Sequence, residues 1–154
     1  MSTPRFTPLA TAFRRVLLLL VLGLGSAALR AEVVVNDVTQ LNPVVMQDVI
    51  APTDTDEVIR AVRDHAGPVS IGGGRYSMGG QTAIEHGVQI DMRRMNRVLA
   101  FSAADKEITV QAGITWRALQ EYIDPYDLSV RIMQTYDNFT VGGSLSVNVH
   151  GRYI

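Results

Sequence analysis

The chain has 154 residues, of which 47% are hydrophobic and 19% charged, which suits a single domain with a buried core. Its formal net charge of −1 provides no basic surface of the kind that binds nucleic acid. It has no cysteine, which excludes disulfides and thiolate metal sites, and because the three histidines (His65, His86 and His150) lack ligand spacing, no metal site is predicted.

The N-terminal residues have the order of a secretory signal peptide. Arg14 and Arg15 precede the apolar run 16–24, and small residues follow at 26–28. The run is shorter than the about 20 apolar residues that usually span a bilayer. We therefore predict that residues 1–31 direct export to the periplasm or outside the cell, and that only this segment contacts a membrane. A retained membrane anchor is the alternative, and a twin-arginine signal stays open.

Residues 32–44 are predicted to be an N-terminal extension of the mature protein, loosely ordered over 32–42. The folded domain is assigned to residues 45–154. The chain contains no internal repeat, low-complexity stretch or charge run that would indicate a second domain.

Within this domain the sequence predicts alternating strands and helices. A first helix begins at the capping box of Asp54 and Glu57 and stops before the Gly-Pro pair at 67–68. A second helix, capped by Thr115, buries an apolar face and ends before Pro125. Short apolar runs predict strands at 69–71, 88–92, 98–101, 108–112 and 130–133.

The most informative segment is 69–81, VSIGGGRYSMGGQ, a short apolar run followed by five glycines within nine positions. Glycine lacks a Cβ and tolerates positive φ, so successive N–H groups can turn toward one anion. The segment lacks the Lys-Ser/Thr pair of a Walker phosphate loop, and Ser77 stands where a dinucleotide fingerprint needs its third glycine. It therefore predicts a pyrophosphate-binding loop of another type, with a tight turn between strands as the alternative.

The segment resembles the glycine-rich loop of the PCMH-type FAD-binding flavoproteins, the family of vanillyl-alcohol oxidase, cytokinin dehydrogenase and the gulonolactone and arabinonolactone oxidases. That loop ends in Gly-His-Ser-x-x-Gly-Gln, and residues 75–81 follow the pattern without a gap. Segments 90–98 and 108–116 look like the family's next strands and helix start. Residues 140–146, with His150 close behind, look like its second flavin-binding segment. The resemblance implies an α+β fold with two small α/β subdomains and the flavin between them, incomplete at the C-terminus.

The resemblance also implies FAD as the cofactor, with backbone amides of the first loop on the pyrophosphate and the second segment along the ribityl chain. In many relatives the loop histidine carries the flavin covalently. Tyr76 stands in that place and no cysteine is available for a second link, so non-covalent FAD is predicted. The implied cofactor-binding residues are Gly72, Gly73, Gly74, Arg75, Tyr76, Ser77, Gln81, Thr140, Gly142, Gly143, Ser146 and His150.

Some of these residues have ordinary alternatives. Arg75 would otherwise be a solvated loop residue, the glycine pair at 142–143 the start of a plain helix, and His150 a satisfied polar residue at a helix end. Asp91 and Trp116 are predicted to be structural, the one ending a strand and the other filling the core.

As to function, the resemblance implies the FAD-binding part of a flavin-dependent oxidoreductase, an oxidase or dehydrogenase of an alcohol, sugar, lactone or amine. Its partners would be a small-molecule substrate and an electron acceptor, oxygen or another. Relatives run several times longer, so the catalytic residues are expected beyond Ile154, and the 154 residues are not expected to turn over alone. Two alternatives stay open: a non-catalytic flavin- or nucleotide-binding fragment, and a protein for a different phosphate ligand such as ATP or a sugar nucleotide.

Overall fold

The computed structural model describes residues 32–153, so the predicted signal segment, residues 1–31, lies outside the described part. Its helices are α1 (Thr55–Arg63), α2 (Trp116–Ile123) and α3 (Val141–Ser146), with 3-10 turns at Met92–Arg94 and Asp124–Tyr126. Its strands are β1 (Val33–Val35), β2 (Val44–Met46), β3 (Asp48–Ile50), β4 (Val69–Gly72), β5 (Val88–Asp91), β6 (Val98–Ser102), β7 (Glu107–Val110), β8 (Ile132–Met133) and β9 (Arg152–Tyr153).

A three-stranded parallel sheet, in the order β3-β5-β4, carries the glycine-rich loop at its edge. The central strand β5 is buried along its whole length, as expected for a parallel strand flanked on both sides. Helix α1 connects β3 to β4. The loop begins where β4 ends, at Gly72, which pairs with Asp91 at the end of β5.

Helix α1 begins at the predicted cap. The Asp54 carboxylate accepts a hydrogen bond from the Glu57 N–H at 2.9 Å, while the Glu57 carboxylate reaches back to the N–H of Thr53 at 2.6 Å. The helix ends at Arg63, before the predicted stop at 67–68, with Asp64 as its C-cap.

The expectation of a loosely ordered segment over 32–42 is wrong. β1 pairs with β2 as an antiparallel hairpin, with Val33 opposite Met46 and Val35 opposite Val44. The polar residues between the two strands resemble a solvated linker, but they hydrogen-bond to one another and to the glycine-rich loop. That order depends on contacts with residues far along the chain, which local composition does not reveal.

A second group of elements follows the parallel sheet. β6 and β7 form an antiparallel hairpin, and β8 pairs antiparallel with β9. Helix α2 is capped by Thr115, as predicted, and buries Trp116, Leu119 and Ile123. These side chains form one core cluster with Ile114 and Val141.

All five predicted strands are present, with ends that differ by one or two residues. The strand expected over 108–112 ends at Val110, and the next residue, Gln111, still donates its N–H to the carbonyl of Arg97 at 2.9 Å. In residues 32–153 no helix is long and apolar enough to cross a membrane. The same residues contain no cluster of three or more His, Asp or Glu side chains placed to hold a metal ion.

Candidate functional site

A cavity of about 460 Å³ lies between the glycine-rich loop and the segment around α3. Three of the predicted cofactor residues do not line it: Gly72 is buried at the end of β4, and Gln81 and His150 are exposed elsewhere. The structure brings the other predicted residues together on its wall, namely Gly73, Gly74, Arg75, Tyr76, Ser77, Thr140, Gly142, Gly143 and Ser146. Two segments more than 60 residues apart, as the contact of Tyr76 with Asn138 shows, thus form one site.

The glycine-rich loop contributes a row of backbone donors. Among residues 32–153, the N–H groups of the five consecutive residues 73–77 have no protein acceptor. Arg75, in the middle of the row, has a φ of 62° in the left-handed region, where non-glycine residues are uncommon. Residues 73–77 are half-buried, and successive N–H groups in such a bent loop can form a concave anion site.

Two glycines of the loop are required by close approach. A Cβ on Gly73 would overlap Oγ1 of Thr140, and a Cβ on Gly74 would lie 2.8 Å from the ring of Tyr76. A side chain at Gly73 would therefore push the loop away from Thr140 of the second segment, and one at Gly74 would displace the Tyr76 ring.

Tyr76 joins the two segments across the cavity wall. Its ring packs on Phe139 with centroids 4.2 Å apart and planes tilted by 39°, and its hydroxyl accepts a hydrogen bond from Nδ2 of Asn138. The Tyr76 side chain therefore packs between the two segments.

The second segment is held tightly against the rest of the fold, with its helix-end N–H groups already in use. Val141 donates to the carbonyl of Ile114 at 2.8 Å, and Gly142 to that of Ala112 at 2.8 Å. The N–H of Gly143 is accepted by the Thr140 hydroxyl oxygen at 3.3 Å. The segment therefore forms a wall of the cavity, while the free backbone donors come from the first loop.

Gly142 has a packing reason to be glycine. An added Cβ would lie 2.7 Å from the Cβ and 2.8 Å from the carbonyl oxygen of Ala112. The structure also agrees with the alternative interpretation of the two glycines, in which they start a helix. Gly142 and Gly143 lie in α3 and still line the cavity.

Gln134 is a cavity residue that the sequence analysis missed. It is 8% exposed, and its Oε1 accepts a hydrogen bond from the indole N–H of Trp116 at 3.1 Å. An indole N–H only donates, so the oxygen of the amide must face it and the NH₂ group faces away. That Nε2 is buried and finds no acceptor in the described part of the chain. A lone glutamine after a short apolar strand gives no local signal of this arrangement.

The charges at the loop are arranged around Asp91. Its carboxylate accepts Nε of Arg93 at 2.8 Å and Nη2 of Arg75 at 3.2 Å. Burial alone would raise the pKa of Asp91, but the hydrogen bonds from Arg93 and the charges of both arginines outweigh it and the pKa is lowered. The Arg75 side chain is only 23% exposed, so it is not the solvated loop residue of the alternative interpretation. Asp91 ends strand β5, as predicted, and pairs there with both arginines.

Residues 46–153, which contain both walls of the cavity, match the model of a family described as "FAD binding domain". The chain belongs to this family. The chain is 32% identical over 98 residues to L-gulonolactone oxidase of Mus musculus, a match that covers 64% of this chain and 22% of that protein. It is 36% identical over 84 residues to the mitochondrial D-lactate dehydrogenase [cytochrome] of Arabidopsis thaliana, covering 52% of this chain and 15% of the relative. The chain thus spans less than a quarter of either relative.

The fold comparison agrees. The FAD-binding domain superimposes on cholesterol oxidase from B. sterolicum with a TM-score of 0.61 at 17% identity, covering 79% of this chain and 24% of that one. The predicted PCMH-type α+β fold and the predicted cofactor, FAD, are therefore confirmed. The assignment of individual residues to the cofactor stays a prediction.

Proposed function

We propose that the chain is the FAD-binding part of a flavin-dependent oxidoreductase, an oxidase or dehydrogenase that acts on an alcohol, sugar, lactone or amine. The observation that carries this proposal is the row of acceptor-free N–H groups over residues 73–77, on a cavity that a second segment closes. When bound, FAD takes two electrons from the substrate and passes them to an acceptor. The oxidase and dehydrogenase among its relatives support the reaction class.

In this proposal the protein binds and orients the cofactor. The N–H groups of residues 73–77 hold the pyrophosphate, whose negative charge the nearby guanidinium of Arg75 also favours. The unpaired Nε2 of Gln134 donates to an oxygen of the cofactor, which removes the cost of leaving it unsatisfied. The packed rings of Tyr76 and Phe139 keep water from one wall. The partners are a small-molecule substrate and an electron acceptor.

Export stays part of the proposal. The order of charged, apolar and small residues in 1–31 supports a periplasmic or secreted protein, with a retained anchor as the alternative.

Titration of FAD into the purified chain tests the proposal. We expect saturable quenching of flavin fluorescence and a thermal midpoint that rises with FAD concentration, because a ligand that binds only the folded state stabilises it. ADP should compete, since it shares the pyrophosphate. A folded chain that shows no quenching would contradict the proposal, and stronger stabilisation by ATP or a sugar nucleotide would favour the alternative phosphate ligand.

We predict that the bound FAD is not covalently attached. Acid precipitation of the complex should leave all flavin in the supernatant, because Tyr76 has no imidazole nitrogen and the chain has no cysteine. Absorbance of the supernatant and pellet measures this. Tyr76→Phe is the matched control, since it keeps the ring on Phe139 and should release flavin equally. Flavin that stays in the wild-type pellet, but not in the Tyr76→Phe pellet, would instead identify the hydroxyl as the attachment point.

A further inference from the structure

Asp37 is a buried carboxylate that lies against the end of the glycine-rich loop. It sits between β1 and β2, outside the residues matched by the family model, and is 3% exposed. Its Oδ2 accepts the N–H of Gly79 at 2.8 Å and that of Gly80 at 3.1 Å. Both glycines have positive φ, 92° and 70°. This geometry turns two successive N–H groups toward one anion, and here the anion belongs to the chain itself.

The carboxylate is fully engaged by neutral donors. Oδ1 accepts the N–H of Thr39 at 2.9 Å and its hydroxyl at 2.5 Å, and Oδ2 also accepts Nδ2 of Asn42 at 2.9 Å. The hydrogen bond from the Thr39 hydroxyl lowers the pKa of Asp37 most, and burial opposes this effect. Together with the N–H groups of Gly80, Thr39 and Gly79, that hydroxyl holds the pKa of Asp37 far below its ordinary value. The group is therefore an anion at any physiological pH.

The same hairpin holds the loop at a second point. The N–H of Val38 donates to the carbonyl of Arg75 at 3.0 Å. The loop is thus attached at its centre through Arg75 and at its end through Gly79 and Gly80. A glycine-rich loop loses much conformational entropy when it is ordered, so attachments made before a ligand arrives reduce what binding has to supply.

We infer that Asp37 is a positioning residue of the FAD site: an anion built into the chain that fixes the end of the glycine-rich loop and so holds the free N–H groups of residues 73–77 ready for the pyrophosphate. This inference rests on the proposed function of that loop. It makes Asp37 and strand β1, which lie in the predicted N-terminal extension 32–44, part of the cofactor site.

Asp37→Asn in the complete chain tests the inference. Asparagine keeps the size but places an NH₂ group against N–H donors, either those of Thr39 or those of Gly79 and Gly80. We expect the dissociation constant for FAD to rise at least tenfold. In the free protein, amide hydrogen exchange should become faster at Gly79 and Gly80, whose N–H groups lose their acceptor, and at Val38, while β5 and α2 keep their protection, a local change that general destabilisation would not produce. Asp64→Asn, which removes an exposed carboxylate paired with Arg63, is the matched control and should change neither.

The possible results distinguish failure of the proposed function from failure of this inference. Wild-type chain that binds no FAD would overturn the proposed function and this inference together. Wild-type binding with an unchanged constant in Asp37→Asn would overturn this inference alone. Tighter binding in the variant would also overturn it, by showing that Asp37 competes with the cofactor for the two glycine N–H groups. If Asp37→Asn does not fold, the milder Thr39→Val decides: weaker FAD binding supports the inference and unchanged binding overturns it.

Discussion

Gly74→Val is expected to abolish FAD binding, with a loss of affinity of at least about 100-fold, or about 2.8 kcal/mol. The first atom of the new side chain would lie 2.8 Å from Cδ2 and 2.9 Å from Cε2 of Tyr76. That ring cannot easily yield, because Phe139 packs against it and Asn138 holds its hydroxyl. The valine methyls would then enter the cavity beside the acceptor-free N–H groups of the loop.

Fluorescence titration with FAD measures this effect, and circular dichroism shows whether the variant is folded. Gly67→Val is the matched control. Gly67 is exposed and outside the cavity lining, and its added Cβ approaches only the ring of His65, whose side chain can move. Gly67→Val should bind FAD as the wild type does. A folded Gly74→Val chain with unchanged affinity would show that the loop does not receive the pyrophosphate.

Gly142→Ala is expected to destabilise the fold by about 2 kcal/mol and to weaken FAD binding with it. Helix propensity alone predicts the opposite, a gain of about 1 kcal/mol for alanine over glycine inside a helix. The clash decides the sign, because the added Cβ would meet the backbone of Ala112. That backbone is held by the hydrogen bond from Gly113 to the carbonyl of Met95 at 2.8 Å. Moving α3 instead would break the 2.8 Å bond from Gly142 to Ala112.

Urea unfolding followed by the fluorescence of Trp116, the only tryptophan, measures the change. Its indole N–H donates to Oγ of Ser144 in α3 at 2.9 Å, so its emission also reports displacement of that helix. Gly143→Ala is the control in the same helix, because its Cβ meets only the Thr140 hydroxyl. Alanine at this position gains about 1 kcal/mol in helix propensity, which offsets a loss of about 1 kcal/mol from the weakened Thr140 cap. Equal stability of Gly142→Ala and wild type would contradict the packing role of this glycine.

The sequence by itself determined the features that depend on neighbouring residues. The helix caps at Asp54 and Thr115 form where they are predicted, because a cap is a bond between residues three positions apart. The glycine density of 72–80 indicated an anion site for the same reason, since backbone freedom is a local property. The order of the motifs was sufficient for the family and for FAD.

Only the tertiary structure decided which N–H groups of the loop have an acceptor in the protein and which do not. The sequence predicts residues 72–77 and Gln81 as the cofactor-binding part of this loop and gives no partner for Gly79 and Gly80. In the structure, the N–H groups of these two glycines bind Asp37, 42 and 43 residues away in the chain. The orientation of Gln134 depends in the same way on Trp116, 18 residues distant. Gln81 and His150 match the family pattern in order but lie outside the cavity wall.

The physical reason is the range of the interactions. A motif specifies backbone conformation over a few residues, so caps, turns and strand propensity can be read from it. The acceptor that a backbone donor finds is set by packing between distant segments, as where the Asp37 carboxylate of the N-terminal hairpin accepts the N–H groups of Gly79 and Gly80. The order of the motifs, through their resemblance to a known family, therefore predicted the cofactor, and the packing of the hairpin against the loop determined which loop amides are left without a protein acceptor.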